Sequence, residues 1–136
     1  MLSALSVVRT KEKMEKDPLT GKVIGCAIEV HRHLGPGLLE STYKHCLSRE
    51  LLLAGVKHEM EYPLPVIYKE MRVECGYRVD LWVENQLIVE LKSVSAIHDI
   101  HKAQILTYMK LAGISTGLLI NFNVKILKEG ITRFAL

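Results

Sequence analysis

The sequence predicts an α/β fold of the mixed, α+β kind: one mixed sheet with helices on both faces. Three observations point there. Two stretches of helical periodicity precede the first strand-like segment, three apolar strand-like segments follow, and a third helical stretch separates these from two more strands. The predicted order is helix, helix, three strands, helix, two strands. A length of 136 residues favours one domain with a substantial core.

Each element has its own signal. Residues 1–18 read as a flexible leader, because residues 9–17 are highly charged and weakly apolar, and 19–136 read as the domain. In residues 19–34, Val23, Ala27, Val30 and Leu34 share one helical face, and Thr20 is the expected N-cap. Gly35-Pro36-Gly37 breaks that helix. A second helix, 38–54, ends at Gly55 and turns Leu39, Tyr43, Leu47 and Leu51 inward. Residues 56–68 read as a strand in which Pro63 and Pro65 force an edge or an irregular ladder. Lys69-Glu70 is a polar turn, residues 71–83 return as a second strand interrupted near Gly76, and residues 87–92 form the third. The third helix, 99–112, stops at Gly113 and carries His101, Gln104 and Tyr108 on one stripe beside Ile105, Met109 and Ala112. Residues 116–122 are apolar throughout, as in a strand covered on both faces, and 131–135 form the last strand.

The chain is organised around residues 77–93, two apolar strands joined by a tight turn. Asp80 lies on the first strand; Glu90 and Lys92 lie on the second and point the same way. Both faces of this pair are largely apolar, so the three charges are costly unless paired or bound to an ion. A two-residue turn at Asn85-Gln86 would set Asp80 and Glu90 on opposite faces; a three-residue turn or one bulge sets them together. The second arrangement is the expected one, because two facing carboxylates make a divalent-cation site. Glu40, beside the buried face of the second helix, either complements the helix N-terminus or joins that site.

Composition narrows the class. Eighteen Lys and Arg against fifteen Asp and Glu give a formal charge of +3, which permits nucleic-acid binding without arguing for it. Three cysteines with no CxxC spacing fit free, mostly buried thiols and a reducing, cytoplasmic setting. No apolar run approaches the length of a membrane span. His31 and His33, or His98 and His101, lack partners for a tetrahedral zinc set at the usual spacing. Cys75 has no identifiable base beside it, and Trp82 reads as core packing.

Asp80 followed by Glu90-Leu91-Lys92 in an apolar hairpin resembles the PD-(D/E)XK nuclease superfamily. Gln104 and Tyr108 are similar to the QxxxY element of its helicase-associated, recombination-type branch. Gly37, Glu40 and Tyr43 match the GxxExxY signature of a small bacterial and archaeal family placed in it. Val79 stands where the superfamily's eponymous proline would be. The resemblance spans about residue 19 to the end and implies a restriction-endonuclease-like three-layer core.

It further implies a metal-dependent nuclease acting on nucleic acid, most readily DNA. Asp80, Glu90, the Leu91 carbonyl and Glu40 would hold Mg²⁺ or Mn²⁺. Lys92 would orient the attacking water or stabilise charge building on phosphorus. Gln104, Tyr108, Tyr43 and His101 would position the backbone or brace Lys92. The competing reading is a catalytically silent module of the same fold that binds nucleic acid or a protein partner. A homodimer, or membership of a larger complex, would supply the recognition surface that a small, weakly basic chain lacks.

Overall fold

A proline preceded by an aspartate sets the first helix. The computed structural model describes residues 17–136 together with the backbone strand β1 (Val7–Val8). Helix α1 (Pro18–Leu34) begins on Pro18, whose fixed φ suits a first turn and keeps Asp17 extended (φ −129°, ψ 92°). Asp17, rather than the expected Thr20, is therefore the N-cap. Its Oδ1 accepts from Thr20 N–H at 3.3 Å and its Oδ2 from the Thr20 hydroxyl at 2.5 Å. Arg133, nearly buried, donates to the same carboxylate at 2.9 Å. Burial works to raise the Asp17 pKa, but the bonds from Thr20 and Arg133 outweigh it and hold the carboxyl below its ordinary value. Of the expected leader, Val7–Val8 pair with the last strand and Asp17 and Pro18 belong to α1; the rest lies outside the described residues.

Val23, Ile24, Ala27 and Val30 bury one face of α1, whereas Leu34 is 38% exposed where the helix ends at Gly35, φ 68°. Helix α2 (Glu40–Leu53) starts two residues later than expected: Leu39 is its extended, exposed N-cap instead of a core residue. Tyr43, Leu47 and Leu51 are fully buried.

The strands are β2 (His58–Pro63), β3 (Val66–Tyr68), β4 (Met71–Val73), β5 (Arg78–Val83), β6 (Leu87–Lys92), β7 (Thr116–Asn121) and β8 (Ile131–Ala135). The main sheet runs β1-β8-β7-β6-β5-β2, antiparallel except for the parallel pair β6–β7. Helix α3 (Asp99–Ala112) is the crossover that a parallel pair needs. The two long strand segments are each split, the second across the interruption expected near Gly76. β2 ends at Pro63, and β3 and β4 form a separate hairpin through Lys69 and Glu70, both at positive φ. Prolines 63 and 65 have no N–H to continue the ladder; Leu64 N–H to Tyr77 C=O at 2.8 Å closes the hairpin's neck.

Two cores flank the sheet. Leu81, Val83, Val89, Leu91, Leu118 and Ile120 pack against α1 and α2; Ile88, Leu119 and Phe134 pack against Ile105, Leu106 and Met109 of α3. Gly117 on β7 leaves room for α3, since a Cβ there would stand 2.7 Å from Met109 Sδ. This is the mixed α+β architecture with helices on both faces.

Asp17→Ala removes a cap and strips a buried arginine of its partner, and should lower stability by about 2 kcal/mol. Urea denaturation reads this directly; a midpoint equal to wild type would show that the cap carries no weight.

Candidate active site

The β5–β6 turn brings the acids together. Val83 pairs with Leu87, leaving a three-residue turn, Glu84 to Gln86. Glu84 and Asn85 adopt φ 52° and 57°, and Gln86 N–H closes on Val83 C=O at 2.9 Å. The Asn85 side chain is pinned by the Trp82 indole N–H at 2.7 Å. Trp82 itself stacks on Tyr62 at 4.3 Å, a packing role. With this register Asp80 stands across from Glu90, two positions beyond the Trp82–Ile88 pair.

Asp80 then departs from simple alternation. Val79 packs on the α3 side, but Leu81, two residues on, packs on the α1–α2 side. Asp80 occupies the slip, where groups from both layers reach it. Its Oδ2 accepts the Leu91 backbone N–H at 2.8 Å. From the α2 side Lys44 approaches its Oδ1 to 3.6 Å. Glu90, which shares the α3 face with Ile88, meets it from the other layer. Among the described residues the ion pair of Asp80 is with Lys44, and not with Arg78 or Lys92.

Glu90 is only 5% exposed, and its Oε1 is buried with no hydrogen-bond partner. Burial, reinforced by a hydrogen bond to Asp80 and by that residue's charge, pushes its pKa up to about 10. A proton on Glu90 turns a repulsive carboxylate contact into a hydrogen bond. An orphaned buried oxygen beside a second carboxylate is also what a hard divalent cation replaces a proton at. Asp80 and Glu90 fit such an ion. Among the described residues no group of three or more His, Cys, Asp and Glu is gathered as a full ligand cage. Backbone oxygen and water would therefore complete the shell, as suits Mg²⁺ or Mn²⁺.

Glu40 stands on the rim, at the first residue of α2. Partial burial lifts its carboxyl pKa, the Asp80 charge adds to that, and Lys92, Lys44 and His101 oppose it. It feels the site's charges without joining the Asp80–Glu90 contact.

Lys92 is braced from α3. Its ammonium donates to Gln104 Oε1 at 3.3 Å, and Gln104 Nε2 donates to the Tyr108 hydroxyl at 3.3 Å. Tyr108 is nearly buried, its pKa raised by burial and then by the Glu90 charge; Tyr77 approaches its ring at 6.2 Å.

Two expected nucleic-acid contacts have other placements. Tyr43 is fully buried and stacks on Phe122 at 4.4 Å. Its hydroxyl donates to Gly35 C=O at 2.5 Å and accepts from Leu38 N–H at 3.1 Å. It braces the Gly-Pro-Gly loop that delivers Glu40 and is not open to a ligand. His101 uses Nδ1 to accept the His98 N–H at 3.0 Å, a helix-start cap at the rim of the site. Cys75 is exposed, against the expectation of mostly buried thiols, because it lies between β4 and β5 outside either core.

Lys44 and Asn121 were missed from the sequence. Asn121, 3% exposed, accepts Val94 N–H at 3.1 Å and donates to Val94 C=O at 2.9 Å, fixing the chain as it leaves Lys92. A polar residue ending an apolar strand was its only signal. Lys44, one turn after Glu40, had a positional signal in that i, i+4 spacing.

The raised Glu90 pKa has a readable consequence. Between about pH 4.5 and 10 the folded, metal-free protein holds a proton that the unfolded chain has lost, so stability falls with rising pH, by up to about 1.4 kcal/mol per pH unit. In chelator, Glu90→Gln should flatten that decline and melt higher than wild type at pH 8. Parallel melting curves for the two proteins from pH 5 to pH 8 would show that Glu90 keeps an ordinary pKa.

No helix among the described residues is long and apolar enough to cross a membrane. Neither the curated proteins nor the solved structures contain a match to the chain. A family model of the PD-(D/E)XK nuclease superfamily matches residues 17–134, from the α1 cap to the last strand. The chain belongs to the PD-(D/E)XK nuclease superfamily.

Proposed function

We propose that the protein is a metal-dependent nuclease that hydrolyses phosphodiester bonds in DNA. We also place it in the small GxxExxY group, on Gly37, Glu40 and Tyr43. The observation that carries the reading is the buried, unpartnered Glu90 oxygen set against Asp80, with Lys92 on the same strand two residues on. A purely structural array would pair those charges with one another.

Asp80, Glu90 and the Leu91 carbonyl would hold Mg²⁺ or Mn²⁺, with Glu40 reaching it directly or through water. The ion supplies charge neutralisation at the scissile phosphate and a bound water of lowered pKa. The chain's own groups do the rest. The Leu91 N–H keeps Asp80 fixed. Lys92, steadied by Gln104, presents its ammonium to the attacking water or to charge building on the phosphoryl oxygens. Tyr108 keeps Gln104 from rotating away. His101 remains a rim residue within reach of a backbone phosphate. These contacts position a sugar–phosphate chain without reading its bases. The alternative, a silent module binding nucleic acid or protein, draws on Lys44, which already neutralises part of Asp80.

With Mg²⁺ or Mn²⁺ the purified protein should nick plasmid DNA. Asp80→Ala should abolish this, and Lys92→Ala should slow turnover by about 10²–10³-fold. Equal cleavage by wild type and both variants would mark a contaminant, and cleavage of RNA alone would move the substrate. Gln104→Ala should lower kcat about tenfold while leaving Mn²⁺ affinity unchanged, since it acts through the position of Lys92. Unaltered kcat in that variant would remove Gln104 from the site.

A further inference from the structure

Lys44 has no part in the hydrolytic reading, yet among the described residues it is the cation that pairs with Asp80. Its side chain is 15% exposed, with the ammonium 3.6 Å from Asp80 Oδ1 and 3.4 Å from Glu61 Oε1. Both contacts are longer than the roughly 2.7–2.9 Å of a close charge-assisted bond. The ammonium is therefore shared loosely between two acids.

Those acids are unlike. Asp80 is 18% exposed and tied down by the Leu91 N–H. Glu61 is 59% exposed on the edge strand β2. It lies between the Met60–Leu81 and Tyr62–Val79 pairs, across from Asp80. Its φ of 51° is a conformation that a glutamate rarely adopts. A divalent cation on Asp80 would meet the Lys44 ammonium at short range, and like charges repel more strongly where both side chains are mostly shielded from water, as Lys44 and Asp80 are. Lysine carries its charge on a flexible four-carbon stem, so it can reach either acid without moving the helix.

We propose that Lys44 is a built-in competitor for the divalent cation, neutralising Asp80 until the ion arrives and then withdrawing onto Glu61. The inference rests on the metal-dependent reading of Asp80 and Glu90 and adds a residue that sets the ion's affinity. Lys44 suppresses binding, and Glu61 relieves that suppression by offering the displaced ammonium a second partner. Glu61 should therefore matter only while Lys44 is present.

The test is calorimetric titration of the full chain with Mn²⁺ alone, without nucleic acid. Lys44→Met should tighten binding about tenfold, and Glu61→Gln should weaken it about threefold. The double variant should match Lys44→Met. Lys44→Gln is a second uncharged replacement should the methionine variant fold poorly by circular dichroism. Mn²⁺ binding of equal or lower affinity once the charge is removed would overturn the proposal while leaving the metal site intact. So would a weakening by Glu61→Gln that persists in the Lys44→Met background. Absence of Mn²⁺ binding in wild type and in both uncharged variants would overturn the metal reading and this inference with it.

Discussion

The bond from Leu91 N–H to Asp80 Oδ2 is what the candidate site depends on. The β5–β6 ladder is regular from Val83–Leu87 to Leu81–Val89, and beyond it the side chain of Asp80 takes the Leu91 N–H. A buried backbone donor on a central strand must find an acceptor. A carboxylate taking that place gains a charge-assisted bond and loses its freedom to turn away. With Asp80 fixed there, Lys44 has an acid to lean on, and the Asp80 charge adds to the burial that keeps Glu90 from ionising easily.

The same architecture delivers the remaining groups. A parallel β6–β7 pair requires a crossover, and the crossover helix α3 is the one carrying Gln104 and Tyr108. Asn121 and the Phe122 N–H, which donates to Lys92 C=O at 2.9 Å, hold the exit of β6 against β7. On the other face Tyr43 buries its ring on Phe122 and spends its hydroxyl on the Gly35–Leu38 loop, so Glu40 starts α2 at a defined height above the sheet. Packing residues thus set the positions of charged ones.

Local charge contrasts with global charge. The chain is only mildly basic overall, yet Glu40, Asp80, Glu90, Lys44 and Lys92 interact at one end of the sheet. The energetics of that end come from burial and mutual contact, and net charge says little about them. Glu90 illustrates it: its environment moves its pKa by far more than any surface carboxylate would experience.

Periodicity alone determined the helix faces of Val23, Ala27 and Val30, the doubly covered β7, and the shared direction of Glu90 and Lys92, because these follow from repeats of 3.6 and 2 residues. The acids were legible too, since charge inside an apolar hairpin needs a reason. Capping by Asp17, the burial of Tyr43's hydroxyl and the splitting of the long strands at Pro63 were weaker local signals, decided by which partner lay within reach. Lys44 and Asn121 had only faint positional signals and Glu61 none, because their roles come from contacts across 17 to 36 positions. Sequence pattern fixes which face a side chain occupies. Which charges share an acid is settled by distances of a few ångströms between elements far apart in the chain, and those exist only once the layers have packed.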